Sequence, residues 1–599
     1  MIMRSIFNRT PLPPNQLCTL PPGAIKPEGW LKERLDREAR RIEEDLEGYF
    51  PGATGESAWL GGLSRDIEGD ARALCSLILI AFLSEREPLK QVVGTFVDHL
   101  VASQREDGDF GPEHLTDWWP RMLMLRVLRQ YVLATRAKEP LKLMDRFFRF
   151  QLEALPDRPL VGKSCSRAAE NMLAALWLYN ITGQPHLLRL CRLLSAQSLN
   201  WTDELHIFPH IRDTARMRPW ANLQEALERE GDLDGTNQRV NAREFYLTRA
   251  EDVAVGLRSP GVINLFKSGF KEMSAFGVGW PRYMKSHGVA LDMFTGDLHL
   301  AGPDPARGMD LNALAEALHS IGVLLGTGDT FDPALGDLFE KLALNAPQGM
   351  EVRPRLIQVN HIGSAENYNA PREAYESKKR PLDLADGITA AYADGLWYAT
   401  EDEGLAAVSY APCTLSYVAG GGRVRVRVEG NYPYEPKARI AVETRSTQPF
   451  PIHLRIPGWA DQAILTLPDG ELMQLRGGEI ASLRRTWAGR SRIHVEFSVQ
   501  PRLTRWARRS GAVEYGPLLM ALDLSQGQSP GWALEEGAPM KAGDSGKVLV
   551  KAAPIEEWDG LLPIAPEALG EARVLTLVPF HTTDRRMAQF PLLSRRSGA

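Results

Sequence analysis

The spacing of apolar residues changes near residue 390, and this change limits the folds that the chain can adopt. From about residue 27 to residue 345, large apolar side chains recur at i, i+3, i+4 and i+7, as in Arg121–Arg136 and Ala168–Gly183, which is typical of amphipathic helices. Beyond residue 390, apolar and polar residues alternate in short segments between turn residues, which indicates β-strands. A helical domain followed by a β domain is therefore predicted.

The helical region predicts a ring of helical hairpins. Several predicted helices end in Gly or Pro and restart soon after, as at Thr182–Pro185, and no strand alternates with them, which argues against a βαβ design. About six hairpins followed by a sandwich favour an (α/α)6 barrel with an appended β-sandwich, an α+β multidomain fold.

The alternating region predicts a β-sandwich. In Arg423–Val428 arginine alternates with valine, so one face of the sheet should be solvated and the other buried. The predicted strands are Gly404–Pro412, Gly422–Gly430, Lys437–Thr444, Ile452–Ala460 and Ser491–Val499.

A chain of 599 residues is too long for one hydrophobic core. We expect an N-terminal arm at 1–26, the barrel at 27–385 as the catalytic domain, and a β-sandwich region at 386–599 with one or two sandwiches. The boundary is expected in the polar loop Ser364–Asp383.

The composition limits the classes of partner and the cellular compartment that we expect. A net charge of −5 gives no sign of a nucleic-acid or membrane partner, and the best apolar run, Ala73–Leu83, is too short to span a bilayer. The N-terminus lacks a signal-peptide core. Five cysteines without a CxxC indicate neither a disulfide framework nor a zinc ribbon. We expect a cytoplasmic protein, and a homodimer stays open.

The string Asp117–Arg121, "DWWPR", is the most unusual local motif. In one interpretation Trp118 and Trp119 form a platform for a sugar ring, and Arg121 clamps a hydroxyl or carboxylate. In the other, Pro120 and a capping Asp117 start a helix and an indole belongs to the core. The sequence leaves both open.

Three further polar residues are candidates for substrate binding. Glu170 and Asn171 begin an otherwise apolar helix, where the helix dipole alone would favour a carboxylate. His287 precedes the acid-rich segment Leu291–Ser320, and a lone histidine of this kind is more often structural than a general base.

An ordered set of strings resembles the β-L-arabinofuranosidase family, glycoside hydrolase family 127 and its relatives, from about Pro21 to the C-terminus. The set includes "PPGAIKPEGWLKERL", "DWWPRMLMLRVLRQY", "TGDLHLAGPDPARG", "LRIPGWA" and "VEYGPLLMAL". The resemblance implies an (α/α)6 barrel followed by β-sandwich domains, and a retaining hydrolase with a cysteine nucleophile, a glutamate acid/base, and zinc held by one Glu and three Cys.

The chain departs from this pattern at the residues that carry the chemistry. The family's acid/base Glu falls on Leu298, and its Glu-Leu-Cys zinc ligands fall on Asp310-Leu311-Asn312. The family's Cys-Cys pair falls near Arg380 and Pro381. We therefore expect neither a metal nor another cofactor.

Asp297 and Asp310 are the carboxylates that remain near these positions, and we predict them as the catalytic pair, since two carboxylates suffice for glycoside hydrolysis. Alternatively, Asp297 fixes a turn and Asp310 caps the following helix. Glu366 is a further candidate for contact with a carbohydrate substrate. A catalytically silent relative that binds a carbohydrate or a partner subunit is the second hypothesis.

Overall fold

The computed structural model describes residues 5–211, 243–296, 298–346, 356–361, 381–487, 489–525, 531–543, 546–555 and 569–593. Within these residues, helices fill the N-terminal two thirds and strands the rest. Helical and sheet regions therefore follow each other as the change in apolar spacing predicted.

Inner and outer helices alternate along the chain and form an (α/α)6 barrel. The inner helices contact one another in a closed ring, with Ile388–Asp394 packed against Ile67–Leu83. The inner positions are taken by Ile67–Leu83, Trp119–Thr135, Ala169–Thr182, the consecutive Ala250–Gly256 and Ser259–Lys267, Leu311–Thr327, and Ile388–Asp394. The outer positions are taken by Gly29–Glu44, Glu87–Ala102, Glu139–Ala154, Pro185–Gln197, Phe270–His287 and Pro333–Asn345.

The buried faces of each helix follow from its inner or outer position in the barrel. The inner helix Ile67–Leu83 is buried on almost every side, because it has neighbours in the ring and behind it. The outer helix Glu139–Ala154 buries one stripe that includes Leu143 and Phe147, as an amphipathic helix does against a core. Shorter helices connect these elements at Leu46–Tyr49, Gly162–Ser166 and Trp201–Ile207, with 3₁₀ turns at Pro51–Thr54, Ala58–Leu60 and Leu384–Gly387. A further 3₁₀ turn, Phe580–Thr582, lies between strands near the C-terminal end.

Two sheets form the sandwich after the barrel, and strands from the N-terminal arm join both. Valines at 424, 426 and 428 are buried while the arginines between them are exposed, which confirms the predicted alternation. The five-stranded sheet has the order Leu17–Thr19, Trp397–Thr400, Leu405–Ala407, Phe450–Arg455 and Ile480–Arg485. The seven-stranded sheet has the order Leu472–Arg476, Gln462–Thr466, Gly489–Ser498, Lys437–Thr444, Gly422–Glu429, Cys413–Ala419 and Ile25–Pro27.

A further nine-stranded sheet follows at the C-terminal end. Its strands are Arg502–Trp506, Ser510–Tyr515, Gln589–Leu593, Gly531–Glu535, Lys541–Ala542, Val548–Ile555, Arg573–Pro579, Leu518–Asp523 and Arg586–Met587. A small hairpin pairs Gly288–Val289 with Met293–Phe294, and a separate two-stranded sheet pairs Met309–Asp310 with Leu356–Ile357. None of the described helices is both long and apolar enough to cross a membrane.

Candidate active site

The N-terminal ends of the inner helices meet at one end of the barrel, which we call the mouth. Charged side chains from these ends and the loops before them contact one another, although they come from six separate parts of the chain. Helix N-termini favour carboxylates. We call this group the mouth cluster: Glu68, Arg72, Asp117, Trp119, Lys163, Arg167, Glu251, Asp252, Asn312 and Asp383.

The deeper part of the mouth cluster is a buried ion-pair network. Arg167 Nε and Nη2 donate to the two carboxylate oxygens of Asp252 at 2.7 and 3.0 Å, and its Nη1 lies 2.9 Å from Glu251 Oε1. Arg72 forms ion pairs with both Glu251 and Asp383. Its Nε lies 2.6 Å from Asp383 Oδ1. Burial raises the pKa of Glu251, but the charges of Arg167 and Arg72 outweigh it and hold that pKa well below its ordinary value.

The outer part of the mouth cluster is partly exposed. Glu68 accepts a hydrogen bond from Trp119 Nε1 at 3.0 Å and forms an ion pair with Lys163, whose Nζ lies 2.6 Å away. The side chains of Glu68, Lys163 and Asp383 are 26%, 28% and 25% exposed. Polar groups fixed in this way can bind sugar hydroxyls without first being ordered.

Glu68 and Asp117 have pKa values that are moved in opposite directions. Burial raises the pKa of Asp117, with a further contribution from the charge of Glu68. Burial also acts on Glu68, but Lys163 and Arg72 outweigh it and lower its pKa. Asp117 therefore has the higher proton affinity of the two carboxyl groups, which is the order that an acid and a base in one site need.

Asp310 caps the helix Leu311–Thr327. Its Oδ1 accepts hydrogen bonds from the backbone N–H groups of Asn312 and Ala313 at 2.8 and 3.3 Å, and the residue is buried. Capping was one of the two interpretations considered from the sequence. Asp297, its predicted catalytic partner, and Glu366 lie outside the described residues.

The described residues that the resemblance aligns with the family's zinc ligands do not fit a zinc ion. Both polar atoms of the Asn312 amide are engaged, because Nδ2 donates to Asp383 Oδ2 at 2.7 Å and Oδ1 accepts from Ala385 N at 3.0 Å. Zinc sites of this kind need thiolates, whereas burial raises the pKa of the Cys413 thiol, and that residue belongs to a sandwich strand. Within the described part of the chain, His, Cys, Asp and Glu nowhere form a metal-binding group.

Trp118, Trp119 and Arg121 belong to the core. Trp118 and Trp119 are 1% and 0% exposed, so neither offers a face to a sugar ring. Arg121 makes a two-pronged ion pair with Asp109 at 2.8 and 2.9 Å, which leaves no clamp for a ligand. These contacts correspond to the core interpretation of the motif. Trp119 still contributes to the mouth, because its indole N–H orients Glu68.

Glu170 lies in a second buried network, below the mouth. Its Oε2 accepts from Arg126 and Arg258, each at 2.7 Å, and Glu316 accepts from the same two arginines at 3.0 and 2.8 Å. We call Arg126, Glu170, Arg258 and Glu316 the central quartet. Glu170 is 1% exposed, so in this structure it holds helices together.

Asn171 and His287 are also held by protein groups. Asn171 Nδ2 donates to Gln151 Oε1 at 2.8 Å. His287 Nδ1 accepts from Gly302 N at 3.0 Å, so Nε2 carries the proton and donates to His210 O at 2.6 Å. Both residues are fully buried, and these contacts give each a structural role.

Sequence reasoning missed most of the mouth cluster. Arg72, Arg167 and Glu251 were not singled out, because charges at helix starts are ordinary and their partners are distant in sequence. One local signal was available: Glu68 and Arg72 are spaced i, i+4 at the start of a helix that is otherwise apolar.

Comparisons with known proteins agree with this architecture. Residues 404–499 match the family model "Beta-L-arabinofuranosidase, GH127 middle domain". A solved glycoside hydrolase matches with TM-score 0.69 and 14% identity over 98% of this chain and 100% of its own. A GH127 β-L-arabinofuranosidase from Geobacillus stearothermophilus T6 matches with TM-score 0.67 and 15% identity, over 95% of this chain and 100% of its own.

The GH127 β-arabinofuranosidase BT3674 matches with TM-score 0.65 and 11% identity over 96% of this chain and 98% of its own. No curated protein matches the chain. The resemblance to glycoside hydrolase family 127 that the sequence indicated is confirmed, and the predicted fold class with it.

Proposed function

We propose that this relative of glycoside hydrolase family 127 is a divergent glycoside hydrolase that binds a sugar or oligosaccharide at the barrel mouth and cleaves it without the family's zinc-held thiolate. The observation that carries the proposal is the pair Glu68 and Asp117, two carboxyl groups joined through Trp119. The indole N–H of Trp119 donates to Glu68 at 3.0 Å and its backbone N–H donates to Asp117 at 3.1 Å, and the pKa values of the two carboxyl groups are moved in opposite directions. The substrate class follows the relatives' names: an L-arabinofuranoside or a related plant glycan.

In this proposal Asp117 is the general acid. It has the higher proton affinity of the two, and its protonated form passes the proton to the glycosidic oxygen as the bond to the anomeric carbon breaks. Glu68 stays ionised and acts on the other side of the sugar. It either removes a proton from water, which inverts the anomeric centre, or bonds to that centre before water replaces it, which retains the configuration.

The buried ion pairs below support this chemistry. Arg72 and Arg167 hold Glu251 and Asp383 in fixed orientations, and a preorganised polar layer stabilises charge without rearrangement during the reaction. Asp297 and Asp310, the pair predicted from sequence, stay a competing assignment. The capping bonds of Asp310 leave it less free to exchange a proton.

The test is hydrolysis of aryl furanosides and pyranosides by wild type, Asp117→Asn and Glu68→Gln, with the exposed Glu113→Gln as matched control. We expect a loss of about 10²–10⁴-fold in kcat/KM for the two mouth variants and none for the control. A dinitrophenyl leaving group departs without protonation, so Asp117→Asn should retain most activity on that substrate alone.

Two results would contradict this assignment, and a third would invalidate the assay. Activity that a metal chelator abolishes would restore the zinc mechanism. Full activity in both mouth variants together with a large loss in Asp297→Asn would move the site to the carboxylates predicted from sequence. Loss of activity in the exposed Glu113 control would show that the assay reports general damage to the fold.

A carbohydrate-binding protein without turnover is the second candidate. It is favoured by the saturation of Glu68, whose two oxygens already have partners in Trp119 and Lys163. This alternative predicts that an oligosaccharide raises the thermal midpoint by binding the folded state, while no product forms in the same sample.

A further inference from the structure

Tyr246 lies beside the mouth cluster, on a helical segment (residues 243–248) that precedes the inner helix Ala250–Gly256. A Cβ atom added to Gly162 would lie 3.0 Å from Tyr246 Oη, and Gly162 directly precedes Lys163 of the cluster. Tyr246 therefore brings an aromatic ring to a group of side chains that is otherwise mostly charged.

The hydroxyl group of Tyr246 is available to a ligand. The residue is partly exposed, and within the described part of the chain its Oη makes no hydrogen bond and keeps surface that is open to solvent. Burial raises the pKa of Tyr246 to about 12, and the charges of Asp252 and Asp117 act in the same direction. A neutral phenol, which can donate and accept a hydrogen bond, is thus held near the proposed general acid Asp117.

Arg249 supplies further donors on the same side of the mouth. Its backbone N–H donates to Phe245 O at 3.1 Å, as in a helix, so Arg249 and Tyr246 are neighbours at i, i+3 spacing. The guanidinium nitrogens of Arg249 lie 3.6 Å from Glu251 and from Asp252, and the side chain is 16% exposed. These distances are too long for hydrogen bonds, so the N–H groups of Arg249 keep donor capacity for a ligand.

The charges around these donors are already balanced. Each basic side chain of the mouth faces at least one carboxylate, and Asp117 adds a further carboxyl group. The basic residues are Arg72, Lys163, Arg167 and Arg249, and their acidic partners are Glu68, Glu251, Asp252 and Asp383. An anionic ligand would meet these carboxylates at short range and be repelled, whereas an uncharged hydroxyl group can bind the phenol and the guanidinium without adding charge.

We propose that Tyr246 and Arg249 are specificity-determining residues of the mouth, which bind one ring hydroxyl of a neutral sugar and disfavour an acidic sugar such as a uronate. The inference rests on the proposed function, because it places the sugar ring at the mouth. It extends that function by naming the class of sugar and the two side chains that select it.

The test is calorimetric titration of the full chain with L-arabinose, D-xylose and D-glucose, with their monodeoxy analogues, and with D-glucuronate. Free sugars contain no glycosidic bond, so binding is measured apart from hydrolysis. Tyr246→Phe removes the hydroxyl and keeps the ring. Tyr131→Phe is the matched control, since Tyr131 is also partly exposed and its Oη lies 3.7 Å from a Cβ added to Gly94, on the outer helix Glu87–Ala102. Hydrolysis of aryl glycosides is measured on the same proteins.

We expect Tyr246→Phe to bind the preferred neutral sugar about five- to tenfold more weakly at an unchanged thermal midpoint, because the hydroxyl has no partner in the described protein. Tyr131→Phe should bind as wild type does. One monodeoxy analogue should lose the same affinity for wild type and lose no more for Tyr246→Phe, because both changes remove one hydrogen bond. Arg249→Lys should weaken the same sugar, and it carries the comparison if Tyr246→Phe is unstable.

The outcomes separate this inference from the proposed function. Undiminished sugar binding by Tyr246→Phe, additive losses for every monodeoxy analogue, or tighter binding of D-glucuronate than of D-glucose overturns the inference and leaves hydrolysis by Glu68 and Asp117 untouched. Sugar binding that depends on Tyr246 without hydrolysis of any glycoside refutes the catalytic proposal and supports the inference. If no sugar binds wild type, the inference is overturned, and the hydrolysis assay decides the proposed function by itself.

Discussion

Replacing Asp394 by asparagine should stabilise the protein at neutral and alkaline pH and have little effect in acid. Asp394 is the last residue of the inner helix Ile388–Asp394, and it is partly buried at the wall of a cavity near the C-terminal ends of the inner helices. Burial raises the pKa of its carboxyl from an ordinary 3.8 to about 7, and Arg129 only partly compensates. Asparagine has nearly the same shape and does not ionise, so the variant removes the charge and little else.

The direction of the stability change with pH follows from the number of protons that the folded and unfolded states bind. Between about pH 4 and pH 7 the folded state holds a proton on Asp394 that the unfolded state has released, so the wild type loses stability as pH rises through this window. The full pKa difference corresponds to about 4 kcal/mol at 1.36 kcal/mol per tenfold change in proton affinity. Solvent in the cavity screens part of this, so we expect a gain of about 2–4 kcal/mol above pH 7.

The assay is the difference in thermal midpoint between Asp394→Asn and wild type, measured from pH 4 to pH 8.5. The exposed Asp329→Asn serves as matched control, since its carboxyl is solvated in both states. The difference should be small at pH 4, rise through pH 6 and level off above pH 7. A flat difference, or a variant that is less stable than wild type at pH 8, would refute the reasoning.

Three further variants test the assignments of buried residues. Glu170→Gln leaves Arg126 and Arg258 undercompensated in the core, so calorimetry should show a loss of about 3–5 kcal/mol, whereas a neutral effect would contradict a structural role. Asp310→Ala should cost about 1 kcal/mol through the lost helix cap and leave kcat/KM within a few-fold of wild type; abolished activity at full stability would favour a catalytic role. Trp118→Ala should destabilise by about 3–5 kcal/mol while sugar affinity of the folded fraction is unchanged, and weakened binding would restore the platform.

The fold could be predicted because its signals are local. The alternation of arginine and valine in Arg423–Val428 identifies one strand without knowledge of its partners, and the structure pairs it on both sides. In the same way Gly and Pro marked where Ala169–Thr182 ends and Pro185–Gln197 begins. Periods of 2 and 3.6 residues are properties of single elements.

The site could not be predicted to the same extent, because its signals are distant in sequence. Arg72 meets Glu251 and Asp383 only after the ring of helices closes, and no local pattern encodes these distances. The motif at Trp118 and Trp119 left two interpretations open: the two indoles are unusual in sequence, and the structure buries both at the start of helix Trp119–Thr135. The resemblance places Asn312 at a zinc-ligand position, and the loss of the zinc site stays a prediction that rests on chemistry, since an amide cannot replace a thiolate ligand of zinc.

The mouth cluster and the central quartet should contribute to stability independently, because the two arginines and two glutamates of the quartet pair with each other. The ion pairs of Glu68 are made with Arg72 and Lys163 and involve no member of the quartet. Substitutions far apart without shared partners add in free energy within about 0.5 kcal/mol. The double variant Glu68→Gln with Glu170→Gln should therefore show the sum of the two single effects on the free energy of unfolding, measured by calorimetry. A larger deviation would mean that the two networks are coupled through the helices between them.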